Sequence, residues 1–438
     1  MTIRGYSSIT PSAARLTDSL RDIGYDFPSA VADIVDNSIA AGAHRVEIVI
    51  EFDGADSRVY IADDGAGMNE RGLVEALRYG TRRDYGRGDL GRYGLGLKTA
   101  SLSQCRSVTV ATRSSSKTPR TYARTLDLDL IADSDQWLVI TPGRDDVTGR
   151  ARGWLAGGTG TVVVWQKLDR VLPEKRSDGG WARRRLDSMA TRTVRHLGMV
   201  FHRFLEQTDG RGLVITVNGE KIEPWNPFAP DEPERLELPQ QRFEVTVGDV
   251  SGGVWLHRSV LPSRDQFSSP EEFERLSGPL NWNRQQGLYV YRADRLVQWG
   301  GWNGIRGIDE HTKLARAALE FDTDLDAVFN INVAKIRVTV PPQLRQMLER
   351  PINELCSRAD EAYRKTSRRR QASTSGGATD RSAPWNGPQP PVPPVGVEVG
   401  LALRAAAMQA GEYEAFRRIV GALRQHASDV ADALGLQA

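Results

Sequence analysis

SAVADIVDNSIAAGA, residues 29–43, decides how the rest of this chain is read. Its apolar residues recur at helical spacing, and the stretch reads as a helix from about Ser29 to Ala41. Asp33 and Asn37 stand four residues apart. They therefore project from one face, a turn from each other, and set a carboxylate beside an amide. Two further motifs follow within about seventy residues. In VYIADDGAGM, residues 59–68, the segment 58–63 reads as a strand that ends in an Asp-Gly turn. In GRYGLGLKTAS, residues 91–101, a glycine-rich loop becomes a helix near Leu97. An Asp-Gly pair alone marks a turn and nothing more. The glycine-rich run alone is weak, and no βαβ unit precedes it to make it a dinucleotide fingerprint.

An acidic-Asn helix, an Asp-Gly-Gly turn and a glycine-rich lid in this order resemble the GHKL ATPases. That superfamily includes type II topoisomerase B subunits, MutL, MORC proteins, heat-shock chaperones and sensor kinases. The resemblance implies ATP and Mg²⁺ as cofactors, bound in a two-layer α/β (α+β) sandwich of Bergerat type. Asn37 is then the metal ligand, with phosphate oxygens and waters completing the shell, because Mg²⁺ rarely accepts an all-protein cage. Asp33 stands where the family places the carboxylate that polarises the attacking water. Asp63 is expected to accept from the adenine amine, as an ionised carboxylate only accepts. Gly65 and Gly67 would let the backbone approach the base, and Met68 would pack on it. Gly91, Tyr93, Gly94, Leu95, Gly96, Leu97 and Lys98 are expected around the phosphates, where a glycine-rich turn and a helix start offer N–H donors. Thr161, in GGTGTVVVWQKLDR (157–170), matches a family Thr beside the adenine-reading Asp. Taken alone it reads equally as a core-facing strand residue.

This chain departs from the family pattern at two positions. Most MutL, MORC and topoisomerase members carry Glu at the position of Asp33 and Asp at that of Ala40. Asp is one methylene shorter and holds its carboxylate about 1.5 Å further from the phosphate. A misplacement of about 1 Å can cost on the order of a hundredfold in rate. Binding is expected to survive this change, with slow hydrolysis.

The chain has 438 residues, a net charge of +2 and 58 basic residues, of which fifty are Arg and eight Lys. Its length suits two or three domains. The charge balance does not describe a protein that coats DNA, although Arg183–Arg185 and Arg368–Arg370 form local basic runs. Cys105 and Cys356 match no disulfide or metal framework, and the six His show no zinc spacing. No signal peptide and no long apolar run is read, so no membrane partner and a reducing cytoplasm are expected.

The expected division is an ATP-binding domain over 1–180 and a transducer-like α/β domain, ribosomal S5-like, over 181–365. A disordered Ser/Gly/Pro-rich linker over 366–398 and a helical segment over 399–438 complete it. The second domain is read from a helix over 186–205, a hairpin at Asn218–Gly219, and strands at 242–261, 286–301 and 318–325. In FNINVAKIRVTVPPQLRQML (329–348), the resemblance makes Lys335 the transducer lysine that reaches the γ-phosphate, a second catalytic residue beside Asp33. A surface lysine is the alternative.

A sensor histidine kinase places a phosphoacceptor His before its nucleotide domain, yet no His precedes His44. The reading left is a slow ATPase of MORC/MutL type. It would close as an ATP-dependent homodimer on DNA, or on DNA-acting partner proteins docked through the C-terminal helices, and bacterial defence enters by family analogy. The alternative is a chaperone-like switch that acts on proteins.

Overall fold

The computed structural model describes residues 11–80, 94–115, 120–173, 177–207, 212–248, 250–278, 281–331, 338–375, 413–426 and 431. It forms two compact units, Met1–Ala372 and Ser373–Ala438. In the smaller one the helix Tyr413–His426 is described, with Val420 buried. Residues 399–412 of the expected helical segment lie outside the described residues.

The larger unit contains two sheets. The first is built from β1 (Arg45–Glu51), β2 (Arg58–Asp63), β3 (Ser107–Arg113), β4 (Tyr122–Asp127), β5 (Gly160–Gln166), β6 (Val214–Val217) and β7 (Glu220–Lys221). Their order is β4-β3-β5-β2-β1-β6-β7. Neighbours run antiparallel except β1 and β6, which are parallel. Strand alternation sorts the side chains. Val46, Ile48, Val59, Ile61, Val108 and Val163 face a layer of helices. Tyr60, Ala62, Val162 and Val164 face the other side, against Val147, Ala151 and Leu155. Among the described residues that side is covered by the helix Asp146–Trp154, and β2 and β5 present apolar side chains on both faces.

On the first face lie α1 (Ala13–Arg21), α2 (Phe27–Ala40), α3 (Glu70–Leu77), α4 (Gly96–Leu102) and α5 (Leu128–Ser134). We number the helix Asp146–Trp154 α6, and α7 is Gly180–Val200. Asp26 caps α2 by accepting from the Ser29 N–H, and Pro28 sits in the first turn, where its missing N–H costs nothing. Helix α2 thus starts two residues before the sequence reading places it. Its Ala30, Ala32, Val31, Ile34 and Val35 are buried, because α2 lies under both α4 and α7.

Elements beyond residue 180 also belong to the first sheet and its helix layer. Helix α7 packs on α2 through Ala182, Leu186, Met189 and Leu197, and β6 extends the first sheet beside β1. The Asn218–Gly219 turn is as expected, with φ of 50° and 87°, both in the left-handed region that a two-residue hairpin needs. Asn218 also anchors the hairpin to β1 by accepting from the Ile50 N–H at 2.8 Å.

The second sheet comprises β8 (Leu236–Val247), β9 (Val250–Val260), β10 (Gly287–Arg292), β11 (Arg295–Gln298) and β12 (Ala315–Phe321), in the order β11-β10-β12-β9-β8. The molecule is therefore α/β with two sheets, as the sequence indicates. Leu288, Val290, Leu319 and Phe321 face Leu344, Leu348, Ile352 and Leu355 of a long helix, Pro342–Ser375. Tyr289, Tyr291 and Leu296 point the other way, toward Met199 of α7. The long helix continues through residues 366–375, where the sequence reading begins a disordered linker.

Candidate functional site

The C-terminal end of β2 delivers Asp63 to the start of β5 and the end of α2. Both carboxylate oxygens are engaged. The Gly65 N–H donates to Oδ1 at 3.0 Å and the Thr161 N–H at 3.1 Å, while the Ser38 hydroxyl donates to Oδ2 at 2.9 Å. The β2–β5 register pairs Asp63 directly with Thr161, which makes the second of these contacts unavoidable. A carboxylate has roughly four lone-pair sites, so one acceptor site is left for a ligand donor. Desolvation lifts the Asp63 pKa above the ordinary carboxylate value, while the hydrogen bonds from Gly65, Ser38 and Thr161 pull it back.

Thr161 is paired through its backbone, and its hydroxyl lies 3.2 Å from that of Thr112. Thr112 in turn accepts from the Met68 N–H at 2.8 Å, which fixes the loop that follows Asp63. The reason for Gly65 and Gly67 differs from the one expected. A Cβ on Gly65 would press on Ala41, and one on Gly67, at φ 63°, would strike the Arg113 and Gly160 carbonyls. Their freedom is used to seat the loop against protein backbone. Asp64 is a turn residue, accepting from the His44 and Arg45 N–H groups.

Helix α2 carries the other half of the site. Asn37 is exposed and donates through Nδ2 to the Asp33 carbonyl at 3.0 Å. Among the described residues no hydrogen bond is formed at its Oδ1, which leaves that oxygen available to a cation or a water. Asp33, one turn earlier, is 2% exposed. Its Oδ2 accepts from the Tyr25 hydroxyl at 2.9 Å. The backbone of Gly96 closes over the same carboxylate so tightly that a Cβ there would collide with Oδ2. Burial raises the Tyr25 pKa well above the ordinary phenol value, and the adjacent Asp33 charge and hydrogen bond add to this. The phenol thus keeps its proton and donates a hydrogen bond to Asp33 across the physiological range.

The first turn of α4 follows. Gly94, Leu95, Gly96 and Leu97 are partly exposed, and Leu95 caps the helix without a side-chain hydrogen bond. Lys98 does not stand free to meet a phosphate. It is 1% exposed, and its ammonium donates to the Ala76 carbonyl at 2.8 Å and the Gly94 carbonyl at 2.5 Å. Burial pulls its pKa down to about 8, against the pull of Glu75. Here Lys98 staples the end of α3 to the start of α4. Gly91, Tyr93 and Lys335 lie outside the described residues.

The structure places Asp33 and Asn37 on α2, Asp63 at the end of β2 with Gly65, Gly67 and Met68 in the loop that follows, Thr161 opposite Asp63 on β5, and the Gly94–Leu97 turn over Asp33. Tyr25, Ser38 and Thr112 escaped the sequence reading. Ser38 carries a usable signal, a polar residue next to Asn37 on the helix that also bears Asp33. Nothing marks Tyr25 or Thr112, whose roles follow from contacts made across the fold. A separate cavity of about 410 Å³ is lined by Glu206, Glu223, Asp231, Glu232 and Glu272 among others, an acidic wall that repels phosphates.

Residues 25–151 match the family model described as histidine kinase-, DNA gyrase B-, and HSP90-like ATPase. The match spans α2, Asp63 and the start of α4, so the segment that holds most of the site is similar to a GHKL-type ATPase domain. No curated protein matches the chain. Among the described residues no helix is long and apolar enough to cross a membrane.

Proposed function

We propose that this chain binds ATP with Mg²⁺ at the α2–α4 cleft and hydrolyses it slowly, as a nucleotide-operated dimeric switch of MORC/MutL type that acts on DNA or on DNA-acting partners. The observation that carries this reading is the Asp63 carboxylate. It is preorganised by Gly65, Thr161 and Ser38 and keeps one acceptor site for an exocyclic amine. Asn37 supports it with an unbonded side-chain oxygen one turn beyond Asp33. Among the described residues no cluster of three or more His, Cys, Asp or Glu is arranged to hold a metal. That fits an ion held by one amide oxygen together with phosphate oxygens and waters. When bound, Mg²⁺ supplies charge neutralisation at the phosphates. The chain's own residues position the base, the metal and, through the Gly94–Leu97 backbone and Lys335, the phosphates.

Slow turnover is the expected rate class. A general base must lie within one water of the phosphorus it serves. Asp33 is short, covered by Gly96 and bonded to Tyr25, so it is poorly placed to receive a proton. Titration of a fluorescent ATP analogue against wild type and Asn37→Ala, with Mg²⁺ and with EDTA, tests the assignment. The expected result is Mg²⁺-dependent binding in wild type and its loss in the variant; an undiminished Mg²⁺-dependent affinity in the variant would sink it. Light scattering with and without ATP and DNA tests the dimeric switch. A mass that doubles with ATP and grows further on DNA supports the clamp, whereas an ATP-dependent dimer indifferent to DNA favours a switch that acts on proteins.

A further inference from the structure

Asp36 adjoins Asn37 on the site helix. It is 1% exposed and accepts from Arg295 Nε at 2.8 Å, across 259 residues of chain. Arg295 is itself 3% exposed and lies at the start of β11, with its guanidinium 5.8 Å from the Phe201 ring and Nη1 donating to the Leu296 carbonyl. Around this pair the contact between α2, α7 and the second sheet is largely apolar, through Met199, Phe201, Leu296 and Trp299.

A buried ion pair adds little net stability compared with apolar side chains of similar volume, and its best-attested use is to set register or a switch. Apolar contacts slide, whereas a charged hydrogen bond at 2.8 Å fixes both distance and direction. The other end of the same short strand is also tied. Gln298 Oε1 accepts from the Val338 N–H at 3.0 Å, just before the long helix Pro342–Ser375 that packs on the second sheet. Strand β11 thus links the site helix at one end to the scaffold of the second sheet at the other.

We propose that Arg295 is a positioning residue for the nucleotide site: through Asp36 it fixes α2, and with it Asp33 and Asn37, to the second sheet, so that turnover depends on where that sheet stands. This rests on the functional reading above. Neither residue is among the hydrogen-bond donors that hold Asp63, so on this proposal the pair acts on the rate and not on recognition of the base.

Single-turnover hydrolysis and nucleotide affinity, measured on the full chain, separate the two. Asp36→Asn, close to isosteric, and Arg295→Gln should each lower the hydrolysis rate by about tenfold or more while ATP affinity stays within about threefold, because a shift of about 1 Å costs rate far more than binding. Arg295→Lys should recover part of the rate. The double variant Asp36→Leu/Arg295→Met replaces the pair by apolar groups and should melt near wild type, yet hydrolyse as slowly as the single variants. A folded double variant with wild-type turnover overturns the proposal, as do equal losses of rate and affinity in Asp36→Asn. If wild type binds no nucleotide, the functional reading falls and this inference falls with it.

Discussion

Asp63 and Asp33 are two carboxylates of one site, and the protein treats them in opposite ways. Asp63 stands at a strand end, held by two backbone N–H groups and the Ser38 hydroxyl, with an acceptor site to spare. These contacts come from the facing strand β5, the loop after β2 and helix α2, so the carboxylate is held from three sides and keeps one acceptor site open. Asp33 lies inside a helix, sealed by the Gly96 backbone and bonded to a phenol whose proton is held tightly. On the proposed reading, the Asp63 end can accept a ligand as it stands while the Asp33 end is covered, and such a site would favour nucleotide binding over turnover.

Five variants sharpen or break this contrast, taken from the largest expected effect to the smallest. Asp33→Asn should cut hydrolysis by about a hundredfold or more and spare ATP binding, the scale of lost general-base catalysis. Equal single-turnover rates in the two proteins would show that Asp33 does no proton chemistry. Its counterpart, Asp33→Glu, restores the reach of the wider family. Because Gly96 already touches the shorter side chain, a gain in rate should come with a stability loss of about 1–3 kcal/mol from overpacking.

Asp63→Ala leaves the Gly65 and Thr161 N–H groups without their acceptor and should cost about 1–3 kcal/mol of stability for each group shielded from water. It should also abolish any preference for ATP over GTP. Denaturant melts and competition titrations read both effects, and an unchanged preference removes Asp63 from the base pocket. Tyr25→Phe deletes one donor to Asp33 and should cost about 1 kcal/mol in a urea melt, with hydrolysis unchanged or faster. A tenfold slower rate would instead mean that the phenol orients the carboxylate.

The smallest expected effect is at Lys98. Burial lowers its pKa from 10.5 to about 8, so between these values the unfolded chain holds a proton that the folded one has released. Wild-type stability therefore gains as pH rises through that window, and Lys98→Met lacks this gain. Thermal melts at the two ends of the window should show wild type improving relative to the variant by on the order of 1 kcal/mol. A constant gap would mean that the ammonium keeps its proton.

Much of the site is legible in the chain because its determinants are local. Asp33 and Asn37 share a face by helical periodicity, and Asp63 ends a strand of period two before a glycine turn. The Asn218–Gly219 hairpin follows from backbone sterics alone. The placement of the elements past residue 180 is less legible, because a helix and a hairpin of ordinary pattern carry no label for the sheet they join, and β6 finds β1 only in three dimensions.

The sequence by itself determined the α/β class, the order of the three motifs, and the helix and strand that carry Asp33, Asn37 and Asp63. Spacing along one element and the chemistry of its side chains suffice for that. Only the tertiary structure decided what each carboxylate meets: Ser38 and Thr161 on Asp63, Tyr25 and Gly96 on Asp33, and Arg295 on Asp36. It also turned Lys98 away from the cleft and onto the carbonyls of Ala76 and Gly94. These partners come from distant parts of the chain, and burial with its loss of solvent sets how strongly each acts, a quantity that no local pattern encodes.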